Sequence, residues 1–167
     1  MTRHPEQRVG IFVDVQNMYH SAKNLYNCRV NFKNILEEAV AERKLVLAIA
    51  YVIKSQSKEE LSFFDALDKQ GFKVKMKGLQ IFPGGAKKAD WDVGIAMDAI
   101  KHSSKTDVTV IVSGDGDFVP LIEYLQMLGQ EVEVMAFGES TSHLIIERAD
   151  DFTDLSKNKR KFLLKTK

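Results

Sequence analysis

The sequence predicts an α/β fold in which a mainly parallel sheet of five or six strands carries helices on both faces. Three observations support this: apolar, β-branched runs recur along the chain, segments of helical periodicity separate them, and 167 residues suit one domain with one sizeable core. Strands buried on both faces read as continuous apolar runs, as a parallel sheet requires.

The first run, Val9 to Val13, ends at Asp14, and Gln16 and Asn17 precede a helix expected near Met18 that either Asp14 or Asn17 would cap. Phe32, Ile35, Leu36, Ala39 and Val40 follow the spacing of an amphipathic helix. Leu45 to Ile53 reads as the second strand; Leu61, Phe64, Ala66 and Leu67 form a looser helical pattern, and Phe72 to Met76 is the third strand. Lys77 to Ala89 is irregular, with Pro83-Gly84-Gly85 as its turn signal, and is expected as a flap beside a site. Val93, Ala96, Met97 and Ile100 mark the apolar stripe of the next helix, which Asp90 and Asp92 open. Val108 to Val112 is the fourth strand; Leu121, Tyr124, Leu125 and Leu128 make a helix stopped at Gly129, and Glu131 to Ala136 is the fifth strand.

Composition narrows the function classes. At 44% hydrophobic and 28% charged the chain is an ordinary globular protein, and no segment has the apolar length to cross a bilayer. The opening MTRHPEQRVG lacks the apolar stretch of a secretory signal, so the expected compartment is the cytoplasm. Cys28 is the single cysteine, which excludes an intramolecular disulfide and a cysteine-rich zinc site. A net charge of +1 hides a basic end: residues 156–167, SKNKRKFLLKTK, carry six Lys or Arg and no acid. They are expected to form a mobile tail after a domain of residues 1–155, with nucleic-acid attraction as the sharper reading. Lys73, Lys75 and Lys77 share one face of a strand, either as a phosphate-binding row or as a solvated, protected edge.

The chemistry concentrates in VTVIVSGDGDF, Val108 to Phe118, where a buried strand runs into Ser-Gly and two carboxylates. A helix cap explains one of Asp115 and Asp117, with Asp117 before Pro120 the natural cap, but not both. In an open parallel sheet the ligand crevice lies beyond the carboxyl ends of the strands where strand order reverses. Adjacency of the first and fourth strands would therefore bring Asp14 and Asp115 over one crevice. Asp92 opens the intervening helix, and Asp98, about 600° further round, lies off its face. Asp90 is a further candidate. His4, His20, His102 and His143 show no zinc spacing. An oxygen-only set favours Mg²⁺ or Mn²⁺, ions that accept substrate phosphate oxygens.

Taken in order, Asp14-Val15-Gln16-Asn17, Lys88-Ala89-Asp90-Trp91-Asp92 leading to Asp98, Ser113-Gly114-Asp115-Gly116-Asp117-Phe118, Phe137-Gly138, Ser142 and Ala149-Asp150-Asp151-Phe152 resemble the NYN domain of the PIN-like nuclease superfamily, its LabA-like bacterial branch in particular. Each piece alone is weak; the ordered set, from Val9 to Leu155, is specific. The resemblance implies a three-layer, Rossmann-like α/β/α sandwich with an acidic, divalent-metal site that cleaves RNA. Carried onto this chain, the acidic cluster is Asp14, Asp92, Asp115 and Asp117, and Asp98 matches a recurrent family acid. Lys88 matches a family lysine and Ser142 is placed to meet phosphate; Asn17, Lys87 and Ser113 complete the expected phosphate contacts.

The leading expectation is a ribonuclease whose aspartates hold one or two Mg²⁺ or Mn²⁺ against the scissile phosphate. Its rivals are a non-catalytic regulatory or RNA-binding module, and a metal-dependent phosphohydrolase acting on small esters. The expected partner is nucleic acid, RNA favoured over DNA, with no membrane; a homodimer is compatible with the sequence.

Overall fold

In the computed structural model, which describes residues 3–55, 57–81, 83–84 and 87–165, with 80, 81, 87 and 88 as backbone only, the chain begins with β1 (Arg8–Asp14), α1 (Val15–Tyr26), β2 (Cys28–Val30) and α2 (Phe32–Val40). It continues through β3 (Lys44–Lys54), α3 (Glu59–Gln70), β4 (Lys73–Gly78), β5 (Gln80–Ile81), β6 (Lys87–Lys88) and α4 (Asp92–His102). After β7 (Val108–Val112) come α5 (Val119–Met127), β8 (Glu131–Ala136), α6 (His143–Arg148), β9 (Asp151–Asp154), α7 (Lys159–Phe162) and β10 (Leu163–Lys165).

Six strands form one sheet in the order β4-β3-β1-β7-β8-β9, and every neighbouring pair is parallel. The chain builds outward from β1 through β3 to β4, then returns to the other side of β1 with β7. That reversal is the switch point, and the register Val13↔Val112 sets Asp14 level with Ser113 across it. β9, which the apolar pattern misses because it reads Asp-Phe-Thr-Asp, closes the far edge.

Both faces of the sheet are covered, which accounts for the unbroken apolar runs. Val9, Ile11 and Val13 of β1 face a core shared with α1, α2, α3 and Phe162 of α7; Phe12 faces a second core with α4, α5 and α6. The sandwich is thus α/β/α with a wholly parallel six-stranded centre.

Several expectations change. α1 begins at Val15, three residues before the expected start, because Asp14 itself caps it by accepting the Asn17 N–H at 3.2 Å. The buried face of α4 is Ile95 and Ala99, whereas Val93 and Met97 of the expected stripe are 76% and 63% exposed. The basic end is no mobile tail over its described part. Phe162 is buried, β10 pairs antiparallel with β2, and Lys161 pairs with Glu38 at 2.8 Å. β4 is an edge strand, and two of its lysines have partners within the chain: Lys75 bonds Asp98 at 2.7 Å, and Lys77 donates to the Asp90 carbonyl at 2.9 Å. In the expected flap, β5 and β6 pair antiparallel, while Gly85 lies outside the described residues.

Candidate metal centre

Asp14 ends β1 at the centre of the sheet and is 8% exposed. One carboxylate oxygen takes the Asn17 N–H, and the other takes the Ser113 hydroxyl at 3.4 Å. Across the switch point, the Asn17 side-chain oxygen accepts the Gly114 N–H at 3.1 Å, which ties the loop after β7 to the first turn of α1. The Ser113 hydroxyl also accepts the Asp115 N–H at 3.2 Å. Ser113 is fully buried, so its hydroxyl links Asp14 to Asp115 instead of meeting a substrate phosphate.

The loop after β7 makes one 3₁₀ turn, Gly116–Phe118, and Asp115 caps it by accepting the Asp117 N–H at 2.9 Å. The cap is therefore Asp115 and not Asp117, whose carboxylate stays exposed beside it. The two glycines serve close approach, since neither has a positive φ. A Cβ on Gly114 would stand 2.9 Å from Thr141 Oγ1, and one on Gly116 would stand 2.9 Å from Ser142 Oγ. Their absence of side chains lets the loop before α6 close over the turn, where the Ser142 N–H donates to the Gly114 carbonyl at 3.1 Å. Ser142 accordingly lies beside the aspartates.

Asp92 reaches the same place from the start of α4, three and seven residues before Ile95 and Ala99, and so on the face that meets the sheet. Trp91 fixes this end of the helix. Its Nε1–H donates to the Val52 carbonyl at 2.9 Å, its ring lies 5.2 Å from that of Tyr51, and it occupies the space that a Cβ on Gly94 would need. Asp90 caps the turn by accepting the Asp92 N–H at 3.1 Å. Carboxylate oxygens of Asp92, Asp115 and Asp117 come within 4.8 Å of one another, a spacing that would allow one cation to be shared. Asp14, Asp90, Asp92 and Asp115 line one cleft of about 350 Å³.

Asp98 does not join this group. It accepts the Tyr51 hydroxyl at 2.8 Å and the Lys75 ammonium at 2.7 Å, on the side of α4 turned toward the β4 edge. Burial opposes its ionisation, yet the hydrogen bonds from Lys75 and Tyr51 hold its carboxyl below the usual range. The cluster shows the reverse. Burial pushes Asp14 up to about 6, with the charge of Asp115 adding to it. Burial, then the charges of Asp115, Asp14, Asp90 and Asp117, push Asp92 up to about 7. Carboxylates crowded with no neutralising cation among the described residues are the environment that a divalent ion relieves. The side chains of Lys87 and Lys88 lie outside the described residues.

One wall of the cleft escaped the sequence reading except at Asn17. Gln16, His20, Ser21 and Asn24 join Asn17 in lining it from α1, at the three-and-four spacing of one helix face, with Leu25 and Ser140 at the far end. The signal was present as a polar stripe in VQNMYHSAKN, but apolar periodicity is blind to it. None of these side chains is a lysine or arginine.

Among the described residues no helix is long and apolar enough to cross a membrane. The NYN domain family matches residues 8–156. The chain is 27% identical over 167 residues to the low amplitude and bright protein LabA of Synechococcus elongatus, covering 95% of this chain and 89% of that protein. A crystal structure of a protein of unknown function from Vibrio parahaemolyticus superposes with a TM-score of 0.87 at 35% identity, covering 98% of this chain and all of that one. The family match runs from the first residue of β1 to just past β9 and so takes in every strand of the main sheet; the chain belongs to the NYN domain family of the PIN-like nuclease superfamily.

Proposed function

We propose that the chain is a cytoplasmic, divalent-metal-dependent ribonuclease that hydrolyses RNA phosphodiester bonds in the cleft at the β1–β7 switch point. The observation that carries this reading is the convergence of Asp92, Asp115 and Asp117 to within 4.8 Å, from two separate segments, in the cleft that Asp14 also lines. Their donor set is oxygen only, which suits Mg²⁺ or Mn²⁺ and fits neither zinc nor a soft metal. Asp92, Asp115 and Asp117 would hold the ion. When bound, it supplies Lewis-acid polarisation of the phosphoryl group and lowers the pKa of the attacking water.

The chain's own groups do the rest. Asp14 is held through both oxygens, by Asn17 and by Ser113, so its direction is fixed and it is suited to orient that water. Asn17 keeps the β7 loop in register with α1, and its cleft-facing amide is available to a phosphate oxygen. Ser142, packed against Gly116 in the loop that carries Asp115 and Asp117, is the second neutral contact for the phosphate, and Lys87 and Lys88 are the expected cations.

The test is one assay with labelled single- and double-stranded RNA and DNA, in Mn²⁺ or EDTA, comparing wild type with Asp115→Asn. The expected result is RNA cleavage that EDTA abolishes and that Asp115→Asn lowers by about 100-fold or more. Cleavage that survives both would sink the proposal. RNA binding that persists in EDTA without cleavage would make the cleft a recognition module, and turnover of small phosphate esters alone would make it a phosphohydrolase.

A further inference from the structure

A cleft lined at one end by the carboxylates of Asp14, Asp90, Asp92 and Asp115, with no lysine or arginine among its described lining residues, needs cations besides Lys87 and Lys88 to attract a polyanion. The cations must lie along the path of the strand. The cleft runs from the aspartates along α1 to Asn24, Leu25 and Ser140. There Glu139 accepts the Tyr26 hydroxyl at 2.6 Å, and the Lys159 ammonium stands 4.5 Å from the centre of the Tyr26 ring. The basic end of the chain therefore abuts the end of the cleft farthest from the aspartates. It is held there by Phe162 in the core, by β10 on β2, and by the Asn34 amide donating to the Lys161 carbonyl at 2.7 Å.

Lys75 is engaged by Asp98, Lys161 by Glu38 and Arg43 by Glu133. Lys157, Lys159 and Arg160 are exposed, and among the described residues no carboxylate comes within 4 Å of them. Between the two charged ends, His20, Ser21 and Asn24 offer hydrogen-bonding groups along successive turns of one helix face.

Resting on the nuclease reading above, we infer that the RNA strand is laid along α1, with its scissile phosphate at the aspartates, the next nucleotide against His20, Ser21 and Asn24, and the more distant phosphates on Lys157, Lys159 and Arg160. Base contact along α1 is by hydrogen bonding, while the far phosphates are held by charge, so the site prefers single strands long enough to span both. These three cations lie beyond the family match, which ends at residue 156. Dependence on substrate length is then a property of the folded-back end of this chain and not of its NYN domain alone.

The test uses the full chain carrying Lys157→Glu, Lys159→Glu and Arg160→Glu together, with Lys157→Gln/Arg160→Gln as a second variant that leaves Lys159 on Tyr26. Each is given a dinucleotide and a long single-stranded RNA in Mn²⁺, and RNA affinity is titrated against salt on the Asp115→Asn background. The expected result is a KM on long RNA raised about tenfold or more, a much smaller change on the dinucleotide, and a salt slope of log K reduced by about 2 for the triple variant. Wild-type KM and salt slope in both variants would overturn the inference. If wild type cleaves nothing, the nuclease reading fails by itself: the inferred strand path then stands if charge reversal weakens RNA binding and flattens its salt dependence, and falls if it does neither.

Discussion

Asp92 and Asp14 are the residues on which pH should act. Their carboxyls sit above the ordinary 3.8, at about 7 and about 6, chiefly through burial and then through neighbouring negative charge. A raised acid binds its proton more tightly in the folded chain, so its contribution to stability is full below the unfolded value and is lost as pH rises through the folded one. The metal-free protein should therefore lose stability between about pH 4 and pH 7, and Asp92→Asn should flatten that fall and raise Tm at about pH 8. Thermal melts in EDTA across this range check it; a wild-type Tm that climbs steadily to pH 8, with no gain from Asp92→Asn, would contradict it. Asp14→Asn is a gentler change than Asp14→Ala, because asparagine caps a helix as well as aspartate does. The alanine variant should lose about 1 kcal/mol more in a denaturant titration.

At the scale of elements, α4 explains both what the sequence made legible and what it hid. Its existence and its opening aspartates were readable, since periodicity marks a helix and acids favour a first turn. Its orientation was not: Ile95 and Ala99 are inward, while Val93 and Met97 face outward. Asp92 faces the cleft because it shares the Ile95–Ala99 face. The loop after β7 was legible from Ser-Gly-Asp-Gly-Asp, but the glycines' purpose, admitting Thr141 and Ser142, depends on a segment more than twenty residues later. The polar wall of α1 beyond Asn17 was hidden for a related reason, since its residues are recognised only by the cleft they border. Gly94→Ala tests whether Trp91 sets Asp92. The added methyl would lie 2.6 Å from a Trp91 ring carbon, so the indole must leave Val52 even though alanine is the better helix former. The expected outcome is a loss of about 1–3 kcal/mol, together with Mn²⁺ affinity reduced by about tenfold in a calorimetric titration. Unchanged affinity would mean that α4 holds Asp92 without the tryptophan.

For the whole molecule, the two ends of the sheet carry opposite electrostatics. The cleft end gathers unpaired carboxylates, whereas toward the amino ends of the strands Arg43 and Glu133, 0% and 2% exposed, meet through two bonds of 2.9 Å. The Ala39 and Val40 carbonyls and Gln7 take the remaining Arg43 donors, so the pair joins α2, the segment before β1, and β8. Removing one partner leaves a buried charge unopposed, which costs about 3–5 kcal/mol. Glu133→Ala should therefore lower the metal-free Tm sharply. It should not alter the increase in stability on adding Mn²⁺, which depends only on ion concentration relative to Kd and amounts to about 2.7 kcal/mol at about 100 times Kd. Asp92→Asn should behave in the opposite way, with a higher Tm in EDTA and little or no shift with Mn²⁺. Melting both variants with and without Mn²⁺ separates the end that stabilises the fold from the end whose mutual repulsion is a cost of carrying the site. If Glu133→Ala abolished the Mn²⁺ shift in protein that is still folded, the two ends would be coupled through β7 and β8, and the sheet would no longer count as a rigid platform beneath the aspartates.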